Sequence, residues 1–212
     1  MSRHRAVIFD LGGVVMGSPL HAIAAYEREI GIEAGAVNRL VLASGADGAW
    51  PRLERGELRL EAFYPCFEAE CAGAGHPLSA RTLMERIAAA ARPRPRMLAA
   101  LRALRARSLR TAALTNNWEG DGGSAVREDL AGLFDVLIES SAVGLRKPDP
   151  RIYRLALERL AVEPHEVVFL DDIGRNLKPA RALGMETIKV DDPDRALAEL
   201  ERALGFALPG ET

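Results

Sequence analysis

Lysine is nearly missing from this chain: Lys147, Lys178 and Lys189 are the only three among its 28 basic residues. Amine chemistry therefore has few possible sites. Cysteine is as scarce. Cys66 and Cys71, five positions apart in a helical stretch, cannot close a disulfide without distortion and lack zinc-ligand spacing, so they read as free thiols of a reducing compartment. The four histidines, His4, His21, His76 and His165, are scattered and have no serine, cysteine or aspartate partner in sequence. No apolar run approaches the length of a membrane span. The basic N-terminus and the AVIF that follows resemble a signal peptide only briefly, because Asp10 interrupts the run and no cleavage site follows. Excess charge of one sign is lacking too: the net charge of −2 gives no pull toward nucleic acid or an anionic membrane. The expectation is a cytoplasmic protein without a nucleic-acid or membrane partner.

What is present describes an ordinary folded protein. Hydrophobic residues make up 48% and charged ones 27%, and 212 residues suffice for one core, or one core and a small satellite. Four short apolar runs, AVIFD at 6–10, TAALT at 111–115, VVFLD at 167–171 and TIKV at 187–190, read as strands. A weaker fifth is DVLIES at 135–140. Their near-continuous apolar character is that of parallel strands covered on both faces. Apolar residues at three- and four-residue spacing predict helices over Met97 to Arg107, Ile152 to Leu160, Leu177 to Leu183 and Ala196 to Leu204. The alternation implies an α/β fold, a doubly wound (Rossmann-like) parallel sheet.

Residues 18–92 differ. They hold no convincing strand, are rich in Ala, Leu, Glu and Arg, and are bracketed by GSP at 17–19 and RPRP at 92–95. This predicts a small helical cap, 18–92, inserted after the first strand of a core made of 1–17 and 93–212. An insert there sits over the carboxyl ends of the strands, where such sheets bind ligands. A helical layer without a lid role is the alternative.

Polar groups follow the strands. Asp10 closes the first and precedes LGG; Thr115 closes the second and precedes Asn116 and Asn117; Asp171 and Asp172 close the third; Lys147 lies in GLRKPDP past the fifth run. In a parallel sheet these positions emerge at one edge. Each taken alone also fits a turn or helix cap, but together they supply the parts of one reaction. Asp10 can attack phosphorus. Thr115 and neighbouring backbone N–H groups, with Asn116, can hold phosphoryl oxygens. Lys147 adds fixed positive charge. Asp10, Asp171 and Asp172 form an oxygen-rich site suited to magnesium. Gly12 and Gly13 let the backbone turn close to a ligand.

FDLGG at 9–13, Thr115 in LTNN, Lys147 in RKPDP and LDDIGRN at 170–176 resemble, in order, the four motifs of the haloacid dehalogenase superfamily. RKPDPRIY at 146–153 and VFLDDIGRNLKPARALGMETIKVDDP at 168–193 carry a narrower likeness, to the phosphatase-like N-terminal domain of soluble epoxide hydrolase and the equivalent domain of acyl-CoA dehydrogenase family member 10. The resemblance implies Asp10 as nucleophile, Thr115 and Lys147 as catalytic partners, and Mg2+ held by Asp10, the Gly12 carbonyl, Asp171 and Asp172. Gly12, Gly13, Asn116 and Lys147 would contact the substrate, a small phosphorylated molecule.

The chain departs from the pattern at Gly12. Superfamily phosphatases carry there a second aspartate, the acid/base. Its loss implies weakened turnover biased toward good leaving groups, unless Glu54 or Glu57 of the insert substitutes. Phosphonatase chemistry needs a lysine in the insert, which has none. The remaining alternatives are a catalytically impaired domain that binds a phosphorylated ligand or protein partner, and a metal-free 2-haloacid dehalogenase. Asn176 is expected one helical turn beyond Asp172, either toward the metal or in a helix-surface or capping role. Trp118 is expected at the site entrance or in packing, Trp50 and Pro51 in the core of the insert, and DDPD at 191–194 at a turn and helix N-cap.

Overall fold

The computed structural model describes residues 3–120, 130 and 132–209. Five parallel strands form one sheet: β1 (Ala6–Phe9), β2 (Arg110–Thr115), β3 (Val136–Glu139), β4 (Val167–Asp171) and β5 (Glu186–Lys189), in the order β3-β2-β1-β4-β5. β1 lies in the middle and its four residues are fully buried. Side chains alternate between faces along a strand. Val7 and Phe9 therefore join one hydrophobic cluster and Ala6 and Ile8 another. This two-sided burial is why the strands read as unbroken apolar runs.

The helices between strands supply the two outer layers. α6 (Pro95–Ala106) and α10 (Pro193–Leu204) cover one face through Met97, Leu101, Leu104, Leu197 and Leu200. α8 (Pro150–Leu160) and α9 (Gly174–Leu183) cover the other through Ile152, Tyr153, Leu157 and Leu177. A short helix, α7 (Ser140–Val143), follows β3 directly. The expected strands and helices are all found, VVFLD with the expected bounds and the others with at least one end displaced by one to three residues. Several displacements have a local cause. α8 and α10 begin before their first periodic residue because Asp149 and Asp192 cap them and proline occupies the next position. The expected N-cap role of DDPD is thus met by Asp192.

Between β1 and α6 the chain forms α1 (Pro19–Ile30), α2 (Ala36–Ala43), α3 (Ala49–Glu54), α4 (Leu60–Gly73) and α5 (Ala80–Ala90). They enclose a separate cluster that includes Ile23, Leu53, Phe63, Phe67 and Leu83. Trp50 is its aromatic hub, edge-on to Phe63 at 5.7 Å and Phe67 at 5.3 Å. Trp118, from the loop after β2, joins the cluster at 6.0 Å from Trp50. The two connections to the sheet run side by side: Met16 bridges Pro93, Gly17 N–H donates to the Arg92 carbonyl at 2.9 Å, and Arg94 N–H to that of Val15 at 2.9 Å. A Cβ on Gly17 would lie 2.1 Å from the Ala90 carbonyl oxygen, so only glycine permits the approach. Among the described residues, both cysteines are free and no helix is long and apolar enough to cross a membrane.

Candidate active site

The strand order fixes where chemistry can gather. β1 and β4 are neighbours, in register from Ala6–Val167 to Phe9–Leu170, so Asp10 and Asp171 leave the same edge side by side. Asp10 N–H donates to the Leu170 carbonyl at 2.9 Å, and Asp10 Oδ1 accepts from Leu11 N–H at 2.7 Å. The backbone then turns through Gly13, at φ +81°, where a Cβ would stand 2.0 Å from Asp172 Oδ2. Gly13 is thus required twice, by its left-handed backbone and by the carboxylate beside it.

Lys147 lies between two of the carboxylates. Its Nζ is 2.9 Å from Asp10 Oδ1 and 2.7 Å from Asp171 Oδ2, and the side chain is 1% exposed. Asp171 is saturated with donors: besides Lys147, its Oδ1 accepts from Ile173 N–H at 2.8 Å and from Asn176 Nδ2 at 3.1 Å. Asp172 is less engaged, with Ser18 Oγ at 3.4 Å from Oδ2. Carboxylate oxygens of Asp10, Asp171 and Asp172 come within 4.8 Å of one another.

Burial pushes Asp10 well above the usual carboxylate range; Lys147 opposes this, and the neighbouring aspartates add to it. Burial, with Asp171 adding repulsion, pushes Asp172 up to about 6. Burial disfavours the charged form of Lys147, but Asp10 and Asp171 outweigh it and hold its amine above the ordinary value. These groups fit a divalent cation. Three converging carboxylates are a hard-oxygen donor set, a cation among them would relieve the repulsion, and Asn176 Oδ1 is a buried acceptor without a hydrogen-bond partner. Asn176 lies neither on the helix surface nor in a cap position, because it is buried against Asp171.

A cavity of about 130 Å³ opens above this floor. Asp10, Gly12, Lys147, Asp172 and Asn176 line its polar end, and Leu20, Ile23, Val37, Val41, Trp50 and Trp118 its apolar wall. Glu54 of α3 reaches this wall and Glu57 does not; Glu57 pairs with Arg55 at the surface. The Glu54 carboxylate is fully occupied: Oε1 accepts from Trp50 Nε1 at 3.0 Å, and Oε2 from Asn116 Nδ2 at 3.2 Å and Arg146 Nε at 2.5 Å. Asn116 pairs with the Lys147 peptide in both directions, at 2.8 and 3.1 Å, so its amide holds the Lys147 loop in place. Thr115 is buried, its hydroxyl donates to the Asn116 carbonyl at 3.4 Å, and it does not line the cavity. Trp118 does both things expected of it, packing against Trp50 and lining the cavity.

Arg146, Arg175 and Ser18 belong to this site and were not legible in the sequence. Nearly all basic residues here are arginine, so neither arginine stood out from the solvated ones. Ser18 looked like part of a linker, and only the fold brings it to Asp172.

A sequence model of haloacid dehalogenase-like hydrolases matches residues 4–184. The chain is 39% identical over 208 residues to acyl-CoA dehydrogenase family member 10 of Mus musculus, covering 97% of this chain and 20% of that protein. It is 39% identical over 220 residues to bifunctional epoxide hydrolase 2 of Sus scrofa, covering 96% and 39%. It thus spans well under half the length of either, and both likenesses read from the sequence are found. The sesquiterpene phosphatase astK of Aspergillus oryzae is 25% identical, with 95% of this chain and 97% of astK covered. A Bacteroides thetaiotaomicron enzyme solved with magnesium and inorganic phosphate shares the fold, with a TM-score of 0.62, 20% identity and 88% and 93% coverage.

Proposed function

The chain belongs to the haloacid dehalogenase-like hydrolases, and from that membership we infer that it is a magnesium-dependent phosphatase acting through Asp10. The observation that carries this reading is Lys147, bound to Asp10 and Asp171 beside a third carboxylate, on the floor of a cavity. Residues 18–92 act as the cap, and 1–17 with 93–212 as the core. The polar floor and apolar wall suit a small phosphorylated organic molecule, and the two free cysteines suit the reducing cytoplasm.

The steps follow from the chain's own groups. The Asp10 carboxylate attacks the phosphorus of a monoester, the P–O bond to the organic group breaks, and the leaving oxygen carries away the bonding pair. An acyl phosphate on Asp10 results. Water then attacks that phosphorus, the carboxylate of Asp10 leaves, and inorganic phosphate is released. Lys147 balances charge on the phosphoryl oxygens and orients Asp10. Asp171 holds Lys147 in place. Asp10, the Gly12 carbonyl and Asp172 are the groups to hold magnesium, with Asp171 behind them; when bound, the ion neutralises and orients the phosphoryl oxygens. The Asn116 backbone N–H, which follows Thr115, is a donor for those oxygens, whereas that of Asn117 is already given to Ser140 Oγ at 2.9 Å.

Gly12 supplies no acid. Glu54 is the one insert carboxylate at the cavity, but both its oxygens already accept hydrogen bonds, from Trp50, Asn116 and Arg146. Aryl and acyl phosphates, which leave as stable anions, are therefore the favoured substrates. Gly12 also favours a second reading, a domain that binds a phosphorylated ligand and turns it over poorly. The carboxylate cluster weighs against metal-free dehalogenation, which needs no cation site. Phosphate release from an aryl phosphate with added magnesium tests the first reading. Activity that needs the ion and falls at least about 10⁴-fold in Asp10→Asn supports it, and equal rates for the two proteins would end it.

A further inference from the structure

One charge at the cavity has no partner. Of the cations on its wall, Lys147 is engaged by Asp10 and Asp171, and Arg146 by Glu54. Arg175, half-buried in the first turn of α9, also lines the cavity. Among the described residues, no hydrogen bond or ion pair engages its guanidinium. Arg146 adds like charge beside it, and Glu54 and Asp171 act in the opposite sense. Lys147 already answers Asp10 at the phosphoryl end, so Arg175 is the cation of this cavity left over for a second anion. Burial, with Arg146 adding like charge, makes its position costly, and holds it below the usual guanidinium range. A half-buried cation that no hydrogen bond or ion pair engages gains from an incoming anion.

We propose that Arg175 binds a carboxylate carried on the organic part of the substrate, so that the site takes phosphate esters that are also carboxylic acids. The inference rests on the phosphatase reading above. Carboxylate follows from the charge left over: one free guanidinium matches one monoanion, which its planar fork binds in two parallel hydrogen bonds. A second phosphate would bring more charge than this single cation answers. The apolar wall of Ile23, Val37, Trp50 and Trp118 takes the body joining the two anionic ends. Arg175 is a specificity residue on this view and takes no part in bond making.

The test compares 3- and 4-carboxyphenyl phosphate with their carbamoyl counterparts, neutral groups of the same shape, in wild type, Arg175→Gln and Arg175→Lys. Wild type should prefer at least one carboxylate ester by about 10-fold in kcat/KM, the order of one charge-assisted hydrogen-bond pair. The ratio should fall to near one in Arg175→Gln and be partly restored in Arg175→Lys. Calorimetric titration with the unreactive carboxy- and carbamoyl-benzylphosphonates reads the same preference without turnover. Because the guanidinium has no partner in the structure, Arg175→Gln should melt no lower than wild type. A wild-type ratio of one, or a loss in Arg175→Gln shared equally by both probes, overturns the inference while leaving the phosphatase intact. Failure of wild type to hydrolyse any of the four esters overturns the phosphatase reading, and the titration then decides the role of Arg175 alone: a carboxylate preference that Arg175→Gln removes upholds it, and none refutes it.

Discussion

Glu54 and Arg146 meet at 2.5 Å with both side chains largely buried, one on the last turn of α3 and the other in the loop that carries Lys147. The ion pair joins the helical segment to the sheet directly over the cavity. Asn116 and Trp50 share the same carboxylate, so one side chain organises both halves. Removing either partner leaves a charge with poor access to water. Glu54→Gln is expected to cost about 3 kcal/mol in urea denaturation, and the Glu54→Gln/Arg146→Met double variant less than the sum of the singles. Additive losses would show that the two residues act independently.

Lys147 answers two buried carboxylates at once. Lys147→Met keeps the shape but leaves Asp10 and Asp171 uncompensated, so a loss of roughly 3–5 kcal/mol is expected. Adding Asp171→Asn should recover part of it. Lys147→Arg should not restore activity, since a planar fork cannot replace a point charge 2.9 and 2.7 Å from its two partners.

Asp172 ties stability to pH and to magnesium. Its carboxyl is held at about 6, above the ordinary carboxylate value. The neutral form is thus favoured in the fold, and its contribution is fully present below about pH 4 and lost as pH rises through about 6. Above that, the ionised group is a standing cost of up to about 3 kcal/mol. Magnesium should therefore raise the melting temperature more at pH 7.5 than at pH 5. Asp172→Asn should raise it without the ion, on the order of 5 °C at pH 7.5, and abolish the magnesium shift. A magnesium shift that is the same at both pH values would contradict the placement of the ion.

Gly12 sets the leaving-group preference. A Cβ there would stand 3.0 Å from Pro19 Cγ at the start of α1, so the proline must yield slightly. Gly12→Asp is expected to cost about 1 kcal/mol of stability and to speed alkyl phosphate hydrolysis by about 10²-fold relative to aryl phosphate. If wild type already hydrolyses both classes equally well, the missing acid is supplied elsewhere.

Much of this was legible before any coordinates. The strands announce themselves because burial on both faces demands unbroken apolar runs, as in AVIF and VVFL. A parallel sheet sends every strand's carboxyl end to one edge, so Asp10, Lys147, Asp171 and Asp172 could be gathered by topology alone. Local chemistry likewise determined the proline-led, aspartate-capped starts of α8 and α10.

Other decisions belong to tertiary structure, because they depend on which side chain a buried group meets. Glu54 and Glu57 are three residues apart and equivalent in sequence, yet packing buries one against Arg146 and leaves the other with Arg55 at the surface. Asn116 became the brace of the Lys147 loop and Asn176 the partner of Asp171 only through contacts spanning the fold. Arg175 differs from the many solvated arginines solely because α9 begins where the cavity lies. Periodicity and strand ends specify which residues reach the active edge; long-range packing specifies which of their charges are already satisfied and which still await a ligand.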